Sequence, residues 1–182
     1  MKKSTLLLLL LISISGFAQN LSNLDEKYGF NKFKLGSSIQ SYNKDLEFLF
    51  PDKKTGTKYY KYIKKDISIF GYTNIDQIGL GFYKDKLYTI DIVLNPNGND
   101  DMYLSILSKL KGLFGYPTTI TSGSDHGELD TRTYMENVNQ WLSYKTLLGL
   151  NKVKCSSPLR PCTLNVFLVS QVIEREINND GF

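Results

Sequence analysis

Cys155 and Cys162 are the chain's two cysteines, with six residues between them in CSSPLRPC. A redox motif of the thioredoxin type needs two intervening residues. A structural zinc site needs four ligands, and the chain's single histidine, His126, lies well upstream. A catalytic thiol would have to take His126 as its base, and nothing local supports that pairing. The reading left is a disulfide, which belongs to an oxidising compartment.

The segment SGSDHGELD places Asp125, His126, Glu128 and Asp130 close together. A metal or general-base site can be drawn from these residues. They are near neighbours in a polar stretch, however, without the helical spacing of an HExxH pair and without a GxSxG nucleophile elbow. NPNGNDD (95–101) resembles a calcium loop, but Leu107 stands near the position where the closing acid should be. A hydrolase or metal-dependent enzyme built on the His126 loop is therefore an alternative reading. No catalytic residue, metal ligand or cofactor is assigned.

A third group is basic and aromatic. KKTGTKYYKYIKK (53–65) interleaves Tyr59, Tyr60 and Tyr62 with Lys53, Lys54, Lys58, Lys61, Lys64 and Lys65. Such a mixture suits a polyanion or an acidic protein partner. The simpler reading is a solvated edge hairpin, the usual home for such lysines, where they oppose strand-to-strand aggregation. Trp141 alternates with Ser143 and Lys145, which would place it on a polar face as a contact residue; a core tryptophan reads equally well. Tyr59, Tyr60, Lys61, Tyr62 and Trp141 are thus the candidate binding residues.

The N-terminus bears on compartment. MKKSTLLLLLLISISGFAQN has a basic start at Lys2 and Lys3, a short apolar run, and small residues at Gly16 and Ala18. This is the pattern of a secretory signal peptide over 1–18, with processing before Gln19 and a bacterial style. The run is too short to span a membrane, which takes about 20 residues. The destination expected is periplasmic or extracellular. Without Lys2 and Lys3, 20 of the 22 basic residues remain against 18 acidic ones. That near-neutral balance gives no nucleic-acid footprint.

The elements that position these residues follow from periodicity. Residues 19–29 read as a polar arm and 30–36 as a short strand. SSIQSYNKDLEFLFP (37–51) spaces Ile39, Tyr42, Leu46, Leu49 and Phe50 at helical steps, with Ser37 or Ser38 as cap and Pro51 as stop. TKYYKYIKK and DISIFGYTN read as strands. QIGLGFYKDKLYTIDIVL is a hairpin turning at Lys84-Asp85-Lys86. DDMYLSILSKLKGLFGYP forms a helix on the stripe Tyr103, Ile106, Leu107, Leu110, Leu113 and Phe114, ended by Gly115. TTITSGSDHGELD reads as a loop. TRTYMENV, NQWLSYKTLLGLNKVKC and CTLNVFLVSQVIERE read as strands, and 177–182 as a frayed tail.

Placing Cys155 directly opposite Cys162 sets a register for the last two strands. Val153 then faces Leu164, Asn151 faces Val166 and Gly149 faces Leu168, and the sides sort into apolar and polar near the tip. Farther along, Leu148, Leu150, Phe167 and Val169 make the second side apolar as well. Either both sides are covered there or Gly149 marks a bulge.

The expected architecture is α+β: a curved antiparallel sheet with two helices packed on one face, in a single domain over 30–176. Its halves, 30–94 and 100–176, each put a helix before a meander, as in a diverged tandem repeat. FNKFKLGSSIQSYNKDL resembles the strand-Gly-turn-helix opening of β-lactamase-inhibitor-like modules and of small outer-membrane-assembly lipoproteins. IGLGFYKDKLYTIDI resembles their closing hairpin, and LFGYPT, WLSYKT and LNVFLVS resemble a second round of such pieces. The first helix starts at Gly36-Ser37-Ser38 where those modules usually carry Gly-Met-Thr.

That resemblance implies an exported, non-catalytic binding or inhibitor-like protein. It would contact another macromolecule, a protein or a polyanionic envelope component, through its sheet face or its basic-aromatic hairpin. An envelope structural component is the remaining alternative. The resemblance carries over no active-site residue and sets no oligomeric state.

Overall fold

The computed structural model describes residues 21–95, 100–125, 133–155 and 163–181. The leader expected over 1–18, His126, Glu128, Asp130 and Cys162 lie outside the described residues. So does the proposed cysteine pairing.

Among the described residues, ten strands and three α-helices form an α+β fold. Helix α1 covers 21–27 and is followed by a small hairpin of β1 (Gly29–Phe30) and β2 (Phe33–Lys34). Two 3₁₀ turns lead into β3 (Leu46–Pro51), β4 (Lys58–Tyr62), β5 (Ile75–Tyr83) and β6 (Lys86–Leu94). Helix α2 (Asp100–Phe114) then crosses to β7 (Thr119–Asp125), β8 (Thr133–Leu142), β9 (Thr146–Cys155) and β10 (Thr163–Ser170), and α3 (Gln171–Asn179) follows.

Eight strands make one open sheet in the order β3-β4-β5-β6-β10-β9-β8-β7. Every pairing in it is antiparallel. Two meanders therefore run inward from the edges and meet at β6 and β10. Exchanging the meanders leaves the order unchanged.

The hairpin of β5 and β6 forms as the alternation predicts. Lys84 and Asp85 both have positive φ, at 46° and 61°. They make a two-residue turn whose twist matches the strands, with Lys86 already in β6. Helix α2 also forms as predicted. Gly115 ends it at φ 77°, and its N–H donates to the Lys111 carbonyl at 2.9 Å.

The core lies on one face of the sheet. Reading across the sheet from β5 to β8, Leu80, Ile90, Leu168, Leu148 and Trp141 are paired in register and all buried. Met102, Tyr103, Ile106, Leu110 and Phe114 of α2 and Leu24 of α1 pack into the same cluster. Burying side chains of this size contributes about 1.5–3 kcal/mol each. Two polar bonds fix α2 on the sheet. Trp141 Nε1 donates to the Gly115 carbonyl at 2.8 Å, and Asn139 Nδ2 to the Tyr103 hydroxyl at 2.8 Å.

Several elements differ from expectation. Of the arm expected over 19–29, the described residues 21–29 are not loose, because Leu24 is 1% exposed in the core. In 37–51 the helix is replaced. Ser38 does cap, accepting from Gln40 N, but only 3₁₀ turns follow, and 46–51 extends as β3. A short apolar run is ambiguous alone, and here β4 supplies a ladder for it. DISIFGYTN contributes only the isolated bridge Ile69–Tyr72, while the presumed loop at 119–125 is β7.

The last strand stops at Ser170, whose side chain accepts from Ile173 N at 3.2 Å and starts α3. The tail is held rather than frayed. Ile173 and Ile177 pack with Tyr83 and Tyr88 in a second cluster, and Asp180 pairs with Lys84 at 2.7 Å.

The register of β9 and β10 is one residue off the expected one. Val153 pairs with Thr163, Asn151 with Asn165 and Gly149 with Phe167. A single-residue slip turns every side chain to the other face. It puts Leu148 and Leu150 in the core with Leu164, Val166 and Leu168. The two-sided apolar pattern is thereby explained without a bulge at Gly149.

Candidate functional site

The other face of the sheet carries a different set of side chains. One row runs Phe50, Tyr59, Gly81, Thr89, Val169 and Leu147 through direct pairings. The next runs Lys61, Gly79, Asp91, Phe167, Gly149 and Gln140. A third contains Gln77, Val93, Asn165 and Asn151.

Glycines shape this face. A β-carbon on Gly81 would stand 2.9 Å from the Tyr59 ring, and one on Gly149 would stand 2.0 Å from Phe167 Cζ. Each ring therefore lies down over a glycine of the neighbouring strand. Gly79 differs: a β-carbon there would meet nothing nearer than Asp91 Cβ at 3.8 Å. A recess of about 420 Å³ opens at this position, lined by Phe50, Tyr59, Gly79, Asp91, Asn165 and Phe167 among others. Phe50 stacks on Tyr59 at 5.0 Å between centroids and is 54% exposed at the sheet edge.

The polar groups in the recess are under-served. No hydrogen bond or ion pair from the described residues reaches the Asp91 carboxylate. Burial alone raises its pKa above the ordinary carboxylate value. The Thr89 hydroxyl is turned away, donating to the Leu168 carbonyl at 3.1 Å. Asn165 Oδ1 is buried without a hydrogen-bond partner among the described residues. Burial also raises the Tyr59 hydroxyl, with further contributions from the charges of Asp52 and Asp91. Tyr88 is pushed up to about 12, first by burial and then by Glu174 and Tyr59.

The five candidate residues read from sequence separate in space. Tyr59 and Lys61 lie on the open face. Tyr60 points to the core side, edge-on to Phe48 and Phe82. Tyr62 is 3% exposed and bonds Asp66 at 2.9 Å. Trp141 is 0% exposed, so it is not a surface contact residue. The lysine run is likewise divided, since Lys64 is paired with Asp45 at 2.7 Å.

Asp125 ends β7, and Cys155 ends β9 opposite Thr133. The sequence marks neither Asp91 nor Asn165 as a site residue, and Phe167 only as part of an apolar strand side, since each is one position in an alternating strand. No helix among the described residues is long and apolar enough to cross a membrane. Neither a known protein family, a characterised protein nor a solved structure matches the chain.

Proposed function

We propose that this chain is an exported, non-catalytic binding protein that holds another macromolecule against the open face of its sheet. The observation carrying this reading is the contrast between the two faces. One is covered by α1 and α2. The other presents the rings of Phe50, Tyr59 and Phe167 around a recess whose acceptors have no partner among the described residues. Aromatic anchors around a pocket are the usual energetic centre of a protein interface. The leader-like N-terminus and the two spaced cysteines support an exported setting.

The test is affinity capture from envelope and culture fractions with the processed chain, read against surface variants. Phe50→Ala and Asn165→Lys alter the open face, while a Lys53/Lys54/Lys65→Ala triple alters the basic hairpin. Loss of a captured partner with the first pair alone supports the sheet face. Loss with the triple alone moves the contact to the hairpin and overturns the proposal. The N-terminal sequence and non-reducing mass of the exported chain test processing at Gln19 and the Cys155–Cys162 bond.

A further inference from the structure

The recess on the open face has a chemical bias that goes beyond its shape. Asp91 and Gly79 are directly paired, and Phe167 is the partner of Asp91 on the other side. The missing side chain at Gly79 leaves room beside the carboxylate, since an added β-carbon would meet only Asp91 atoms at 3.8 and 3.9 Å. Among the described residues, the Asp91 carboxylate oxygens and Asn165 Oδ1 are acceptors in this recess with no donor. Phe50, Tyr59 and Phe167 line the same space with aromatic rings.

Acceptors without donors call for a ligand rich in N–H. A carboxylate in partly desolvated surroundings calls for positive charge, and ring faces attract cations within about 6 Å. The chain's own nearest candidate does not fill the role. Lys61 lies in the same row as Asp91 but makes no ion pair among the described residues.

We infer that this recess seats a cationic side chain of the partner protein, an arginine guanidinium or a lysine ammonium, donating to Asp91 and Asn165. The inference rests on the proposed contact role of this face and adds the chemistry of the group the partner must present. A neutral N–H donor would leave the carboxylate charge unbalanced and an anionic group would be repelled by it, so the recess selects by charge.

The test is an NMR titration of the processed chain with N-acetyl-arginine amide and N-acetyl-lysine amide, with N-acetyl-citrulline amide as the neutral shape control. Saturable shifts centred on Gly79, Asp91 and Asn165 are expected with at least one cationic probe, and at least tenfold weaker binding with citrulline. Asp91→Asn, which keeps the shape, should abolish the difference. Gly79→Val should block the recess while the remaining amide spectrum stays native.

Equal binding of citrulline, no saturable shift with either cation, or full cation binding by Asp91→Asn would each overturn the inference. These results are separable from failure of the face itself. Partner capture that depends on Phe50, without any cation response, keeps the face and discards the seat. A cation response with capture indifferent to Phe50 and Asn165 does the reverse.

Discussion

The Phe167 ring occupies the space that a side chain at Gly149 would need, with Cζ 2.0 Å from the position of the missing β-carbon. The two residues are directly paired in β10 and β9. The ring thus replaces the absent side chain and is held flat on the sheet. Gly149→Ala must displace it, and overpacking of this kind costs about 1–3 kcal/mol. Urea unfolding should show that loss, and adding Phe167→Leu should recover part of it. Simple additivity of the two changes would contradict the contact.

Gly79 predicts the opposite sign. It lies within β5 with no crowding at its β-carbon position. A glycine in a strand interior loses more backbone freedom on folding than alanine does. Gly79→Ala should therefore stabilise by about 0.5–1 kcal/mol in the same unfolding assay.

Asp91 makes stability depend on pH in a definite direction. Its folded-state pKa is raised by burial, so the folded chain holds this proton more tightly than the unfolded one. That contribution is complete below the unfolded value of about 3.9. It is lost as pH rises through the folded value. Asp91→Asn should gain on the order of 1 kcal/mol over wild type at pH 7, read as a Tm higher by about 2–4 °C. The difference should vanish near pH 3. The substitution also removes one of the charges that raise the Tyr59 hydroxyl, a group that stays neutral at pH 7 with or without it.

Asp180 acts with the reverse sign. Its carboxyl accepts from Lys84 Nζ at 2.7 Å and from the Tyr83 hydroxyl, and these two bonds lower its pKa, Lys84 first. The contribution is present above the unfolded carboxylate value and lost as pH falls through the folded one. Asp180→Asn should speed amide exchange in α3 at neutral pH and leave the exchange of β5 and β6 unaltered.

Trp141 ties the end of α2 to β8 through the Gly115 carbonyl. Trp141→Phe keeps an aromatic ring but leaves that carbonyl without its donor, a loss of about 1–3 kcal/mol. In the wild type the single tryptophan should emit at short wavelength and resist quenching by iodide. Easy quenching would place the ring at the surface.

Local rules recovered the elements with long periodic runs. The β5–β6 hairpin and α2 have long periodic runs with turn or cap residues at their ends, and both formed as read. Leu46–Pro51 did not, because a six-residue apolar segment suits helix or strand, and the neighbouring β4 decides. Helix α3 was missed although Ser170, Ile173 and Ile177 carry a cap and an i, i+4 apolar pair. The run LNVFLVS before it masked the change of period. The register of β9 and β10 depended on parity, which is set by which face meets α2 rather than by the cysteines. The recess was illegible for the same reason. Asp91 and Asn165 are 74 positions apart in the chain, and only the pairing of β6 with β10 makes them neighbours.

That pairing has a kinetic corollary. Within each meander every strand joins its sequence neighbour, so those hairpins close over short loops. The ladder from Leu94–Leu164 to Thr89–Val169 alone zips the meanders together. Its ends are distant in the chain, and closing such a loop is entropically the slow event. Both central strands keep a raw edge until it forms. Pairing of β6 with β10 is therefore the step expected to come late, and the open face of the sheet is complete only once it has formed.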